Sequence, residues 1–235
     1  MTSPILELVD VVKSFGRGPT ETRALSGVSL QIEPGEFVAI MGPSGCGKST
    51  LLHLAGALEE PSAGRVLVDG RDLSELGINE RADLRRRDVG YVFQRLNLIP
   101  ALTAVENVML PLELDGIGVR QARQRAIEAL RQTGLTHHLD RYPDDFSGGQ
   151  QQRIAIARSI VGTRRLLRAD EPTGSLDTMN SDEVIELLAE LPAKHGTAVL
   201  LVTHEPRFAS WADRVVFMRD GLIVDQSQPA MVAAK

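Results

Sequence analysis

Gly42-Pro43-Ser44-Gly45-Cys46-Gly47-Lys48-Ser49 is the stretch from which this chain is read. It fits the spacing G-x-x-x-x-G-K-[ST] and sits between a short apolar run, 37–41, and a leucine-rich segment, 48–58. That is the strand-to-helix context the spacing requires. Glycines let the backbone wrap a phosphate so that successive N–H groups converge on its oxygens. The helix that follows adds its positive N-terminal end. Lys48 supplies a mobile point charge for the β- and γ-phosphates, and the Ser49 hydroxyl is a ligand for Mg²⁺. Gly42, Pro43, Ser44, Gly45, Cys46, Gly47, Lys48, Ser49 and Thr50 are therefore the expected nucleotide-phosphate residues. Cys46 is the only cysteine, so no internal disulfide forms. A redox role for it requires a lowered pKa and access.

Strand-like alternation precedes the loop at 7–12 and 28–32, separated by the turn-rich Gly16-Arg17-Gly18-Pro19. Further strands are predicted at 66–68, 89–93, 166–169, 198–203 and 215–218. Val184, Leu187, Leu188 and Leu191 mark an amphipathic helix between two of them. Strands alternating with helices imply a largely parallel α/β sheet, and the early strands an antiparallel piece. From about Arg95 to Ile156 β-branched runs are almost absent. There Val119, Ala122, Ala126, Ile127 and Leu130 recur at helical spacing, with Gly134 at the expected C-terminal cap. This middle region reads as an inserted helical lobe.

The chain has 235 residues, 43% hydrophobic and 24% charged, which excludes a disordered tail and permits one sizeable core. A net charge of −5 argues against a strongly basic nucleic-acid binder. The opening Met1-Thr2-Ser3-Pro4-Ile5-Leu6-Glu7 lacks the basic start and apolar run of a signal peptide. No stretch reaches about 18 apolar residues, so any membrane role is expected to come through a partner. Arg85-Arg86-Arg87, beside Asp83 and Asp88, reads as a solvated face.

Two further segments carry chemistry. Leu166-Leu167-Arg168-Ala169-Asp170-Glu171 is a strand ending in two acids. Asp170 is placed to hold Mg²⁺ through water, since Mg²⁺ dehydrates reluctantly, and Glu171 to orient or deprotonate the attacking water. Ser147-Gly148-Gly149-Gln150 opens a helix, a second anion site at a helix N-terminus.

Together the phosphate loop, Ser147-Gly148-Gly149-Gln150 and Asp170-Glu171 resemble the ATP-binding subunit of ATP-binding-cassette (ABC) transporters over nearly the whole chain. The resemblance implies an α/β fold: a P-loop NTPase core with a mostly parallel sheet, an N-terminal antiparallel β subdomain and an inserted α-helical subdomain. It divides one domain, 1–235, into a core of 1–94 and 157–235 and a lobe of 95–156. Gln94 matches the glutamine that contacts Mg²⁺ and water and senses the transmembrane partner. Ser175-Leu176-Asp177 matches the loop that crosses the dimer interface. His204 matches the histidine on the γ-phosphate. Phe15 matches the aromatic that stacks on adenine, usually a tyrosine, with core packing as the alternative. Glu171, His204, Lys48 and Gln94 are thus the expected catalytic groups, Ser49, Gln94 and Asp170 the metal contacts, and Ser147, Gly148, Gly149, Gln150 and Asp177 the nucleotide contacts made across a dimer.

The family places two ATP between two chains arranged head to tail, so the expected complex is a homodimer with ATP and Mg²⁺ at its interface. Its expected partner is an integral membrane permease subunit at the cytoplasmic face, with no nucleic acid. Ala169-Asp170-Glu171-Pro172-Thr173-Gly174-Ser175-Leu176-Asp177 resembles the lipoprotein-release, macrolide-export and cell-division branch. A soluble ABC ATPase acting on DNA or ribosomes is the alternative. Two positions depart from the pattern. Phe146 stands where leucine is usual, and Arg168 interrupts an apolar strand. Arg168 is expected to reach the surface or meet an acid, and to weaken the fold or slow turnover without abolishing the site.

Overall fold

The computed structural model describes residues 3–94, 96–174 and 176–227. Met1 and Thr2 of the N-terminal reading, Arg95 at the start of the expected lobe and Ser175 of the expected interface loop lie outside the described residues.

Two sheets form. Strands β1 (Leu6–Phe15), β2 (Thr22–Ile32), β4 (Ala63–Val68) and β5 (Arg71–Asp72) make an antiparallel sheet in the order β2-β1-β4-β5. Strands β3 (Phe37–Met41), β6 (Val89–Val92), β7 (Leu166–Asp170), β8 (Ala198–Val202), β9 (Arg214–Arg219) and β10 (Leu222–Ser227) make a second, in the order β10-β9-β3-β8-β7-β6. All its pairings are parallel except the β9–β10 hairpin. The near-continuous apolar runs at β3, β7 and β8 follow from cover on both faces. Val38, Ile40, Leu166, Leu200 and Val202 face one core, and Phe37, Ala39, Leu167, Ala169, Val199 and Leu201 the other.

Helix α1 (Lys48–Ala55) lies on the first face. Its Leu51, Leu52, Leu54 and Ala55 are all buried, because the antiparallel sheet closes over its far side with Leu6, Leu8, Leu30, Ile32, Val66 and Val68. Each fully buried Leu or Ile there contributes about 1.5–3 kcal/mol. The helix stops three residues before the predicted 58. Ala57 takes a left-handed conformation (φ 55°), with Ala57 N–H donating to the Leu54 carbonyl (3.0 Å) and Leu58 N–H to that of His53 (2.9 Å). This is a Schellman stop, disguised in the sequence because alanine occupies the position glycine usually fills.

Helix α2 (Ile78–Arg87) had no sequence signal, because Leu84 is its one buried residue. Helices α3 (Ala104–Leu114), α4 (Val119–Gln132) and α5 (Gly148–Ile160) form the lobe around Val105, Val108, Met109, Ala122, Ala126, Leu130, Ile154 and Ala157. Gly134 follows the α4 cap in a left-handed conformation (φ 78°), and its N–H donates to Arg131. Helix α5 runs unbroken past 156, sending Ile156 into the sheet core and Ala157 into the lobe core, so it belongs to both. Helix α6 (Thr178–His195) covers the second sheet face with Val184, Ile185, Leu188 and Leu191, and the short α7 (Pro206–Ala209) follows β8.

The arginine run is not simply solvated. Arg85 donates to the Ala57 carbonyl (2.9 Å). Arg86 and Arg87 both pair with Asp115, the cap residue of α3, at 3.1 and 2.6 Å, tying the lobe to the core. No helix among the described residues is long and apolar enough to cross a membrane.

Fully buried Asn107 holds the turn between Gln94 and α3. Its Nδ2 donates to the carbonyls of Ile99, Leu102 and Thr103, and its Oδ1 accepts from Ile99 N–H at 2.8 Å. Asn107→Ala takes these partners from the part-buried Ile99 N–H and Leu102 carbonyl, while the Ile99 and Thr103 carbonyls keep the Leu102 and Asn107 N–H. The expected loss is about 2–3 kcal/mol, read as a lower midpoint in urea unfolding.

Candidate active site

Parallel pairing brings the C-terminal ends of β3, β6, β7 and β8 to one edge of the sheet, where α/β proteins bind ligands. The phosphate loop leaves β3, Gln94 follows β6, Asp170 and Glu171 end β7, and His204 follows β8.

The loop needs its glycines. Gly47 is left-handed (φ 104°), and a Cβ there would lie 2.4 Å from the Ala24 carbonyl oxygen. Gly45 is also left-handed (φ 79°) but faces open space. Gly45, Gly47, Lys48, Ser49, Thr50 and Ala24 line a cavity of about 160 Å³. The Lys48 ammonium folds back on its own loop, donating to the carbonyls of Gly42 (2.7 Å) and Pro43 (2.9 Å), and only 9% of the residue is exposed. A cation held this way is a preformed site for phosphate oxygens. Cys46 is buried, its Sγ 4.0 Å from Lys48 Nζ. Pro43 and Ser44 are exposed on the rim.

Ser49, in the first turn of α1, lies close to the Asp170 carboxylate. Burial pushes the Asp170 pKa up. The Ser49 hydroxyl and the nearby His53 and Arg168 act the other way. Among the described residues no cluster of three or more His, Cys, Asp or Glu side chains forms. A hydroxyl and one carboxylate facing a phosphate cavity are instead the sparse oxygen set suited to Mg²⁺, which keeps water and phosphate as its other ligands.

Glu171 has positive φ (43°), an uncommon conformation for a side-chain-bearing residue, while its N–H donates to the Val202 carbonyl at 2.9 Å. That bond extends the β7–β8 ladder by one residue and fixes where the carboxylate emerges. Glu171 Oε1 lies 3.2 Å from His204 Nδ1. A Cβ added at Gly174 would be 3.7 Å from Gln94 Nε2 and 3.9 Å from Glu171 Oε2, so both side chains converge on this bare backbone.

The remaining expected residues lie elsewhere. Ser147 caps α5 in a reciprocal box: its Oγ accepts from Gln150 N–H (3.4 Å), and Ser147 N–H donates to Gln150 Oε1 (3.0 Å). Gly148 and Gly149 pack on α6 and the turn before it. A Cβ on Gly149 would sit 2.3 Å from Asn180 Oδ1, and one on Gly148 3.5 Å from Leu176. Asp177 caps α6, accepting from Asn180 N–H at 2.9 Å, and these hydrogen bonds lower its pKa. Ser147–Gln150 do not line the phosphate cavity. The Phe15 ring is 42% exposed at the end of β1, outside the core, with Lys13 Nζ 5.0 Å from its centroid.

The family model for ABC transporters matches residues 25–174. This chain belongs to the ABC transporter family. A macrolide export ATP-binding/permease protein from Syntrophobacter fumaroxidans is 46% identical over 225 residues, which cover 95% of this chain and 32% of that protein. The chain therefore spans about a third of the length of the macrolide-export relatives it matches. A lipoprotein-releasing system ATP-binding protein from Geobacter metallireducens is 44% identical over 94% of this chain and 99% of its own length. A dimeric structure of the ATP-binding cassette MJ0796, in a post-hydrolysis state bound to ADP and Pi, superposes with a TM-score of 0.88. It is 38% identical, over 96% of this chain and 99% of that one. The fold and the family together make this chain an ABC ATPase cassette.

Arg168 departs from expectation within that cassette. It neither reaches the surface nor meets an acid: it is 2% exposed and makes no ion pair among the described residues. Its side chain lies over the rings at the end of β6 instead, the guanidinium carbon 4.4 Å from the Tyr91 ring centroid and 5.6 Å from that of Phe93. Arg168 Nη1 donates to the Leu52 carbonyl of α1, and its Nε is buried with no partner. Gly56 makes the room, since a Cβ there would lie 2.5 Å from that Nε. Burial lowers the Arg168 pKa to about 10, which leaves it charged at neutral pH. His53, which belongs to no motif legible in the sequence, is a further neighbour. Burial first, and then the Arg168 charge, hold its pKa down.

Lys48→Ala removes the cation that lines the phosphate cavity among the described residues. A hydrogen bond to a charged group contributes about 1.5–3 kcal/mol, so ATP affinity is expected to fall about 10- to 100-fold. Calorimetric titration with ATP reads this directly.

Proposed function

We propose that two copies of this cassette close head to tail around two ATP molecules, hydrolyse them with Mg²⁺, and drive an integral membrane permease partner from the cytoplasmic face. The observation that carries the reading is incompleteness. Lys48 and the Ser147 signature stand on one chain, and the signature has no part in that chain's own phosphate cavity. A twofold pair supplies the missing half, because each copy then offers its signature to the other's loop. The dimeric ADP- and Pi-bound cassette that this chain resembles supports the arrangement.

In this reading the phosphate loop and the first turn of α1 wrap the β- and γ-phosphates, and Lys48 turns from its loop carbonyls to their oxygens. Ser49, Asp170 and Gln94 would hold Mg²⁺, which when bound would supply positive charge against the phosphate oxygens. Glu171 orients and deprotonates the attacking water, and His204, beside Glu171, donates to the γ-phosphate. Ser147 and the Gly149 N–H of the second copy complete the cage, while its Asp177 turn lies along the interface. Phe15, exposed and with a cation over its ring, stacks on adenine. Catalysis is then mainly positioning and charge stabilisation.

The relatives support a partner of the export or lipoprotein-release type, with the cassette peripheral to the membrane. Handling of a lipoprotein, drug or peptide, or transmission of force, belongs to that partner. A net charge of −5 argues against a strongly basic nucleic-acid binder.

Glu171→Gln tests the mechanism. Losing a general base costs about 10²- to 10⁴-fold in turnover, while ATP binding persists. Size-exclusion chromatography with Mg-ATP is expected to show the variant as a dimer and, without nucleotide, as a monomer. A monomer under both conditions overturns the head-to-tail reading. A permease co-purifying with the trapped variant from solubilised membranes supports the membrane partner.

A further inference from the structure

We propose that Arg168 is a positioning residue for the hydrolysis assigned above, on which this inference rests: it locks the strand leading to Gln94 against the helix that carries Lys48 and Ser49, and does so at the expense of fold stability.

The fold has no need of this arginine. The Leu52 carbonyl it contacts already accepts the Gly56 N–H at 3.1 Å, so that acceptor stays satisfied without it. Its Nε is buried unpartnered, and the same face of the sheet is otherwise filled by Leu166, Leu200 and Val202. Taking a charge out of water costs several kcal/mol, and well-packed apolar side chains of similar volume often replace buried ionic groups with no loss of stability. Where a sequence breaks a local rule with no structural return, function is the expected reason.

The geometry shows what the guanidinium joins. Arg168 and Asp170 are two residues apart on β7 and so share a face. Helix α1 crosses that face and is attached to it by the Leu52 carbonyl at Arg168, with the Ser49 hydroxyl close to Asp170. On its other side Arg168 is in register with Tyr91 of β6 and lies over the Tyr91 and Phe93 rings. Those rings are themselves stacked, with centroids 5.8 Å apart and planes 12° from parallel. The Tyr91 hydroxyl donates to the Gly56 carbonyl, a second tie from β6 to the end of α1. Phe93 is the residue immediately before Gln94. One planar cation thus fixes three segments whose far ends carry Ser49, Asp170 and Gln94. Leucine fills the space but neither binds the Leu52 carbonyl nor holds the rings in their plane. The phosphate loop keeps all its own contacts without Arg168, so loss of the lock is expected in turnover and not in ATP affinity.

The experiment compares the full chain with its Arg168→Leu variant by thermal melting, by ATP titration in the Glu171→Gln background, and by steady-state hydrolysis. The expected result is a Tm equal to or above wild type, an ATP Kd within about twofold, and a kcat lower by about ten- to a hundredfold, the scale of a small misplacement. An unchanged kcat overturns the inference. So does a kcat loss accompanied by a lower Tm and weaker ATP binding, which marks Arg168 as structural. Phe93→Leu is expected to lower kcat similarly and to combine non-additively with Arg168→Leu, whereas additive losses overturn the route through Phe93. Wild-type hydrolysis is measured alongside. Its absence overturns the function proposed above together with this inference, and equal turnover in wild type and variant overturns this inference alone.

Discussion

The parallel pairing of β3, β8, β7 and β6 is the constraint on which the rest of the structure depends. It sends four strands to the same edge and makes each connection leave from that edge. Lys48, the acids Asp170 and Glu171, Gln94 and His204 therefore all stand at this edge, where Glu171 lies 3.2 Å from His204. Cover on both faces makes the arrangement stiff, because a strand buried on either side cannot slip register without exposing its apolar set. The extension of the β7–β8 ladder through Glu171 N–H is the smallest expression of this. One hydrogen bond past the regular strand turns a backbone direction into a carboxylate position.

Around that edge the charges are arranged by burial more than by pairing. Lys48 rests on carbonyls, Asp170 lies beside a hydroxyl, and Arg168 rests on a carbonyl and two rings. Among the described residues none of the three makes a direct ion pair, although the Arg168 charge acts on Asp170. A site of this kind is electrostatically prepared before its substrate arrives.

Much of this was legible in the sequence. The glycine spacing at 42–47 and the acids at 170–171 each sit at a strand end that hydrophobic patterning could find, and the structure places them on one edge. The antiparallel piece and the helical lobe were legible for the same reason, a change of period from two to about 3.6. What escaped detection lacked an apolar signature. Helix α2 buries only Leu84, and the first half of β2 is largely exposed. The end of α1 was missed because Ala57 adopts a conformation that composition assigns to glycine. Arg168 was visible as an anomaly, but its surroundings were not. Tyr91 and Gly56 lie far from it in sequence, and only the folded chain shows that a ring and a missing side chain accommodate a cation.

The tether at Asp115 has a mechanical meaning. Two arginines of α2 grip the outer end of α3 through a carboxylate near the surface, whereas the inner end of the lobe is continuous with the core through α5 and its apolar side chains. Surface charge pairs weaken as ions accumulate around them, and apolar contacts do not. The charged tie between α2 and α3 therefore loosens as salt rises, while the apolar junction through α5 holds.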